Sequence, residues 1–309
     1  VQAFRSPDPS RDGRQVRVAE ILDRASERLD KEFSGSKATQ GALLDALGRT
    51  YQGLGIFDRA IGLHTRARAI QEAALGPDHP QTLVCRNHLA NAYSSAGRRS
   101  DAIALHEETL KLLESRLGPD HPDTLTTLNN LAASYWKLKR HDQSIALFND
   151  VLARQEKKMG RQHLDTLTTA VNLAVNYWEA GRLAEAIPLL EELIRIEPAN
   201  AAAHKTLASC LLNIGRLPAA RASLTRAIAL DPQDPKCHNI LAYSWKREAA
   251  WEKALPAIDA AIRLAPGDAT FVATKAEILH LAGRLDEALQ TIAPVLDRAA
   301  AVPAVAGAF

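Results

Sequence analysis

Ten histidines, three cysteines and a run of asparagines are the residues of this 309-residue chain whose types could do chemistry, so their spacing is the first thing to weigh. His79, His121 and His163 recur every 42 residues, which ties them to a repeating turn rather than to a metal. His64 and His106 share a position that Phe148 fills 42 residues further on, and packing explains that substitution better than ligation does. There is no HExxH helix motif, P-loop, dinucleotide-binding glycine pattern, G-x-S-x-G elbow or kinase catalytic motif. Cys85, Cys210 and Cys237 form no CxxC pair and have no basic neighbourhood to activate a thiol, so they read as core residues. The expectation is a stretch that is not an enzyme, with no catalytic residue, no cofactor and no metal.

Composition narrows the partners. Thirty-eight lysines and arginines against 36 acidic residues leave a net charge of +2, too weak a field to gather nucleic acid or an anionic membrane. Any partner must be recognised locally. No run approaches the roughly 18 apolar residues of a membrane helix, and the Ala-rich tail Ala299 to Phe309 is short and interrupted by Pro303, so no direct membrane insertion is expected. The chain opens at Val1 on a polar, proline-containing stretch without the apolar core of a secretory signal, and it reads as a fragment.

The elements that must carry these residues follow from an internal repeat. Small residues stand at Ala60, Ala102, Ser144 and Ala186, each 42 apart, and then at Ala220, Ala254 and Ala288, each 34 apart. In the same register run Leu47, Leu89, Leu131, Leu173, Leu207 and Leu241, followed four residues later by Tyr51, Tyr93, Tyr135, Tyr177, Leu211 and Trp245, with Leu279 continuing the column. Leucine and aromatic at i and i+4 make one helical stripe, and a small residue between paired helices lets their backbones approach. Gly55, Gly97, Gly181, Gly215 and Gly283 mark a tight turn inside each hairpin, and Pro198, Pro232 and Pro266 close the later second helices. This is the tetratricopeptide pattern, which predicts an all-α, right-handed superhelical solenoid of seven helical hairpins. Val18, Ile21, Leu22, Ala25, Leu29 and Phe33 share one helical face, so residues 17–33 are expected to form a capping helix.

The first three repeats are eight residues longer and close with Leu75-Gly-Pro-Asp-His-Pro80, Leu117-Gly-Pro-Asp-His-Pro122 and Met159-Gly-Arg-Gln-His-Leu164. With the Thr-Leu that follows and Asn129-Asn130-Leu131-Ala132, this longer form resembles the repeats of kinesin light chains and their bacterial relatives. Upstream, Ser6-Pro-Asp-Pro9, Val18 to Ala25, Phe33 and Leu47-Gly-Arg-Thr-Tyr51 resemble the region after the membrane helix in planctomycete-type serine/threonine kinases. That resemblance covers residues 4 to about 180 and implies the regulatory or sensory part of a larger bacterial signalling kinase whose catalytic domain lies upstream. Location follows from it: extracytoplasmic after a membrane helix, cytoplasmic if the repeats stand free. The organisation expected is 1–37 extended segment and capping helix, 38–166 three long repeats, 167–300 four 34-residue repeats, and 301–309 tail.

In this fold the first helices of successive repeats line the concave face. That face offers Asp45 and Arg49, then Asn87 and Asn91, then Asn129 and Asn130, then Asn172, followed by Lys205 and Asn239. An asparagine amide both donates and accepts, so a ladder of them can pair with the backbone of an extended peptide. Tetratricopeptide relatives clamp peptides with such ladders. Trp136 and Trp178 occupy one position in consecutive repeats and could anchor a ligand from the same groove, or pack on neighbouring helices. Packing between repeats is also the alternative for the asparagines. Lys205 could meet a ligand carboxylate. The function expected is a non-catalytic scaffold for a protein or extended peptide, with a spacer or self-association module as the second reading.

Overall fold

A computed structural model describes residues 18–301; the segment 1–17 and the tail 302–309 lie outside the described residues. Fifteen helices, and no strand among those residues, make the protein all-α, as the repeat spacing predicted. The chain divides into two compact units at Gly160 and Arg161. The first holds α1 (Val18–Lys31) and three hairpins: α2 (Lys37–Gly53) with α3 (Phe57–Leu75), α4 (Pro80–Ser95) with α5 (Arg99–Leu117), and α6 (Pro122–Lys137) with α7 (His141–Met159). The second holds four: α8 (Leu164–Glu179) with α9 (Leu183–Ile196), α10 (Ala201–Asn213) with α11 (Leu217–Leu230), α12 (Pro235–Lys246) with α13 (Trp251–Leu264), and α14 (Ala269–Leu281) with α15 (Leu285–Ala301).

The extra length of the early repeats is shared between their two helices. Second helices of the first unit run 19 residues against 14 for α9, α11 and α13, and first helices run 16 residues in α4 and α6 against 13 in α10. Each hairpin closes on its small residue: Ala60, Ala102, Ser144, Ala186, Ala220 and Ala254 have no accessible surface, and Ala288 is 6% exposed. Ser144 keeps its hydroxyl satisfied there by donating to the Ala132 carbonyl at 2.8 Å.

The recurrent histidines are helix caps. His79, His121 and His163 each accept the backbone N–H two residues on through Nδ1, at 3.2 Å, while Pro80 and Pro122 take the first helical position, where no N–H is needed. In the second unit Asn200, Asp234 and Asp268 cap α10, α12 and α14 instead. Helix α1 lays Leu22 and Ala25 into the first hairpin's core, and Gln40 ties the two by donating to the Leu29 carbonyl at 2.8 Å. The expected capping helix is present, with Phe33 just past its end.

Within each unit, first helices touch the first helices of neighbouring hairpins: α2 with α4, α4 with α6, and likewise α8 with α10, α10 with α12 and α12 with α14. Within a unit, no second helix touches another among the described residues. Helices that meet each other in every hairpin form the inner row, so the first-helix face of each unit is its inner face. That is where the candidate residues lie.

Candidate functional site

In the first unit the inner row divides into amides the protein uses and amides it leaves open. Asn87, expected in the groove, belongs to the former. It is 7% exposed, its Nδ2 donates to Thr127 Oγ1 at 2.7 Å, and its Oδ1 faces His106 Nδ1 at 3.3 Å. Both ends of the amide are engaged in joining α4 to α5 and α6. Asn91 and Asn130 are half-buried on the same helices, and their side chains have no protein partner among the described residues. Asn129 and Trp136, also half-buried, are engaged in contacts within the protein. The Arg49 guanidinium is mostly exposed and sits 3.8 Å from the Asp45 carboxylate.

In the second unit Asn172 is half-buried with an open amide, like Asn130 one repeat earlier. Trp178 is half-buried too, and its indole Nε1 is enclosed without an acceptor among the described residues. Lys205, expected to meet a ligand carboxylate, donates to Asp234 Oδ2 at 2.6 Å at the N-cap of the next first helix. Burial alone would raise the Asp234 carboxyl, but hydrogen bonds from Lys205 and the Lys236 backbone hold it below the usual range. Lys205 thus ties α10 to the N-cap of α12. Asn239 is half-buried, with its Oδ1 enclosed and unpaired among the described residues.

Sequence reasoning missed one constellation. Asp45 on α2 bridges two histidines, Oδ1 accepting from His64 Nδ1 on α3 and Oδ2 from His88 Nδ1 on α4, each at 2.8 Å. One donor atom from each residue falls within 4.8 Å of the others. Burial pushes the Asp45 carboxyl up, yet the two imidazole hydrogen bonds outweigh it and hold the group well below the ordinary carboxylate range. The His64 ring is fully buried against Gly48, where a Cβ would lie 2.7 Å from its Cε1, so glycine is what makes room for it. Cys85, one turn before His88, is buried beside Asp45. Burial and that neighbouring charge raise its thiol, while burial lifts Cys210 and Cys237 to about 12, so none is an activated nucleophile.

The comparisons agree with this architecture. A tetratricopeptide-repeat profile matches residues 39–115, 97–157 and 123–199, and two further tetratricopeptide-repeat profiles match 177–242 and 249–303. The chain belongs to the tetratricopeptide-repeat family, whose repeats generally mediate protein–protein contacts on a fold that is typically non-catalytic. It is similar to the crystal structure of a putative kinesin light chain with nearly identical TPR-like repeats from Podosopora anserina. Identity is 26%, with 64% of this chain and 97% of that one covered at a TM-score of 0.56. It also shares its fold with BtubC from P. vanneervenii, at 20% identity, 68% and 87% coverage and a TM-score of 0.58. A search of curated proteins finds none that matches. The structure has no helix long and apolar enough to cross a membrane among the described residues.

Proposed function

We propose that the chain is a non-catalytic scaffold that binds a protein or an extended peptide along the inner face of its first helices. The observation that carries this reading is the set of half-buried amides the protein leaves open: Asn91 and Asn130 in the first unit and Asn172 in the second. A peptide N–H or C=O arriving at such an amide makes a hydrogen bond that the fold itself does not make there. Panning a peptide-display library from the host proteome against the parent and an Asn91→Ala, Asn130→Ala, Asn172→Ala variant tests it. Each lost hydrogen bond costs about 0.5–1.5 kcal/mol, so ligands of the parent should bind the helical, correctly folded variant at least tenfold more weakly. Equal enrichment by both places binding elsewhere.

The finer reading assigns these repeats to the regulatory or sensory part of a larger bacterial signalling kinase. Its support is the sequence likeness of residues 6–51 to the segment following the membrane helix of such kinases. A coding sequence with a kinase domain and a membrane helix upstream is the expected finding; an unrelated upstream domain refutes it. Self-association is the second reading, favoured by the last hairpin, where Leu281, Leu285, Leu289 and Leu296 stand 51–59% exposed. Light scattering across concentration decides it: a constant monomer mass removes this reading.

A further inference from the structure

The Asp45 constellation can be compared with its own repeats, because each of its members recurs 42 residues on. Asp45, His64, Cys85 and His88 correspond to Asn87, His106, Thr127 and Asn130 in the second repeat, and to Asn129, Phe148, Thr169 and Asn172 in the third. The second set keeps the framework of the first: Asn87 faces His106 at 3.3 Å and donates to Thr127 at 2.7 Å, as Asp45 meets His64 and lies beside Cys85. A neutral amide and a hydroxyl therefore suffice to join one hairpin to the next. Folding does not require the carboxylate, thiol and second imidazole that the first repeat places at these positions, and each of those three is a metal-ligating group.

We propose that Asp45, His64, Cys85 and His88 form a binding site for one first-row divalent cation of the zinc class, clamping the first hairpin to α4. The donors come from three helices: carboxylate from α2 and imidazoles from α3 and α4, whose ligating atoms lie within 4.8 Å of one another, with the Cys85 thiol one turn earlier on α4, now donating to the His64 carbonyl at 3.6 Å, turning in as the fourth. Zinc bonds of about 2.0–2.3 Å put the donors of a tetrahedral site about 3.4–3.8 Å apart. The two 2.8 Å contacts between Asp45 and the histidines thus need to open by only about 0.6 Å to admit the ion at that spacing. Thiolate and imidazole donors select zinc-like ions over magnesium or calcium, which take all-oxygen shells. Loading releases the Cys85 thiol proton to solvent, and each histidine, ligating through Nδ1, carries its own proton on Nε2, leaving thiolate, carboxylate and two neutral imidazoles around the dication for a net charge of zero. The site goes beyond the scaffold reading and does not depend on it, since it lies within the hairpin packing rather than along the open amides.

Cobalt(II) tests the site in the full chain, because a tetrahedral shell with a sulfur ligand shows visible d–d bands and a near-ultraviolet thiolate charge-transfer band. Chelator-treated protein is titrated with cobalt and then with zinc, beside two variants. Asp45→Asn, Cys85→Thr and His88→Asn together install the second repeat's residues, a combination the fold already accommodates; Cys85→Thr alone removes the sulfur. The expected result is one equivalent of cobalt with both bands, bleached by zinc. The triple variant, helical by circular dichroism, should bind more than about a hundredfold more weakly, since loss of even outer-shell partners costs 10–100-fold. The single variant should lose the charge-transfer band. The proposal is overturned if the parent binds no cobalt, if its complex lacks the thiolate band, or if the triple variant binds equally well, which would leave a hydrogen-bonded triad only.

Discussion

His106 shows how much the surroundings of one residue decide. It holds the position of His64 one repeat on, but an amide rather than a carboxylate faces its Nδ1, and its Nε2 is enclosed without a partner among the described residues. Burial lowers its pKa from the usual 6.5 to about 4, because a charge there would meet no counter-charge. The sign of the linkage follows. Above pH 6.5 the imidazole is neutral in folded and unfolded chains, and stability is at its full value. As pH falls from 6.5 toward 4 the unfolded chain takes a proton that the folded one refuses, and stability is lost. Each pKa unit is worth about 1.4 kcal/mol, so the loss reaches about 3 kcal/mol near pH 4. His106→Phe copies the Phe148 of the third repeat and removes the titration. Urea unfolding of both proteins from neutral pH to about pH 4 should show the variant gaining about 3 kcal/mol on the parent. A difference that stays constant with pH would mean that His106 is solvated in the folded chain.

At the scale of elements, the turn inside each hairpin needs a left-handed residue. Glycine supplies it at Gly55, Gly97, Gly181, Gly215 and Gly283, with φ from 75° to 81°, but the third and sixth hairpins have Lys139 at 60° and Ala249 at 54°. A Cβ in that region crowds the following carbonyl and costs about 1–2 kcal/mol. Ala249→Gly should raise stability by about 1 kcal/mol, the strain relieved less the backbone freedom glycine adds to the unfolded chain, visible as a higher thermal midpoint. No change, or a loss, would show that the turn is not strained. The same turns explain what could be read from the residues alone. Small residue, leucine, aromatic and glycine repeat in register because every hairpin solves one packing problem, so the helices, their number and the capping helix were legible. The inner face was less so. Asn87 and Asn130 look alike in sequence, and only Thr127, forty residues on, shows that the Asn87 amide is spent. Asp45, His64, Cys85 and His88 were hidden for a related reason: they lie on three helices, and no local motif spans their separations.

For the molecule as a whole, a repeat array draws its stability from each hairpin and its contacts with neighbours, so the hairpins at the ends have one interface fewer. The first unit meets this at its N-terminal end with α1, whose Leu22 and Ala25 are 6% and 7% exposed against the first hairpin. The last hairpin of the second unit has no such cover among the described residues, and Leu281, Leu285, Leu289 and Leu296 remain 51–59% exposed. Burying a leucine contributes about 1.5–3 kcal/mol, so the α14–α15 hairpin forgoes several such contributions relative to α10–α13. Opening free energies within a fold range from near zero at fraying ends to the global value in interior elements. Amide hydrogen exchange by mass spectrometry should therefore find peptides from 269–296 exchanging at least about tenfold faster than those from 201–264 in dilute protein, because about 1.4 kcal/mol of lost protection is a factor of ten. Raising the protein concentration discriminates between the two readings of that apolar face. Protection that grows with concentration means another copy covers the leucines, whereas exchange that is fast at every concentration assigns the face to a different partner or to none. Equal protection of the two regions in dilute protein would refute the nearest-neighbour account itself, since the last hairpin would then be as stable as hairpins with two neighbours.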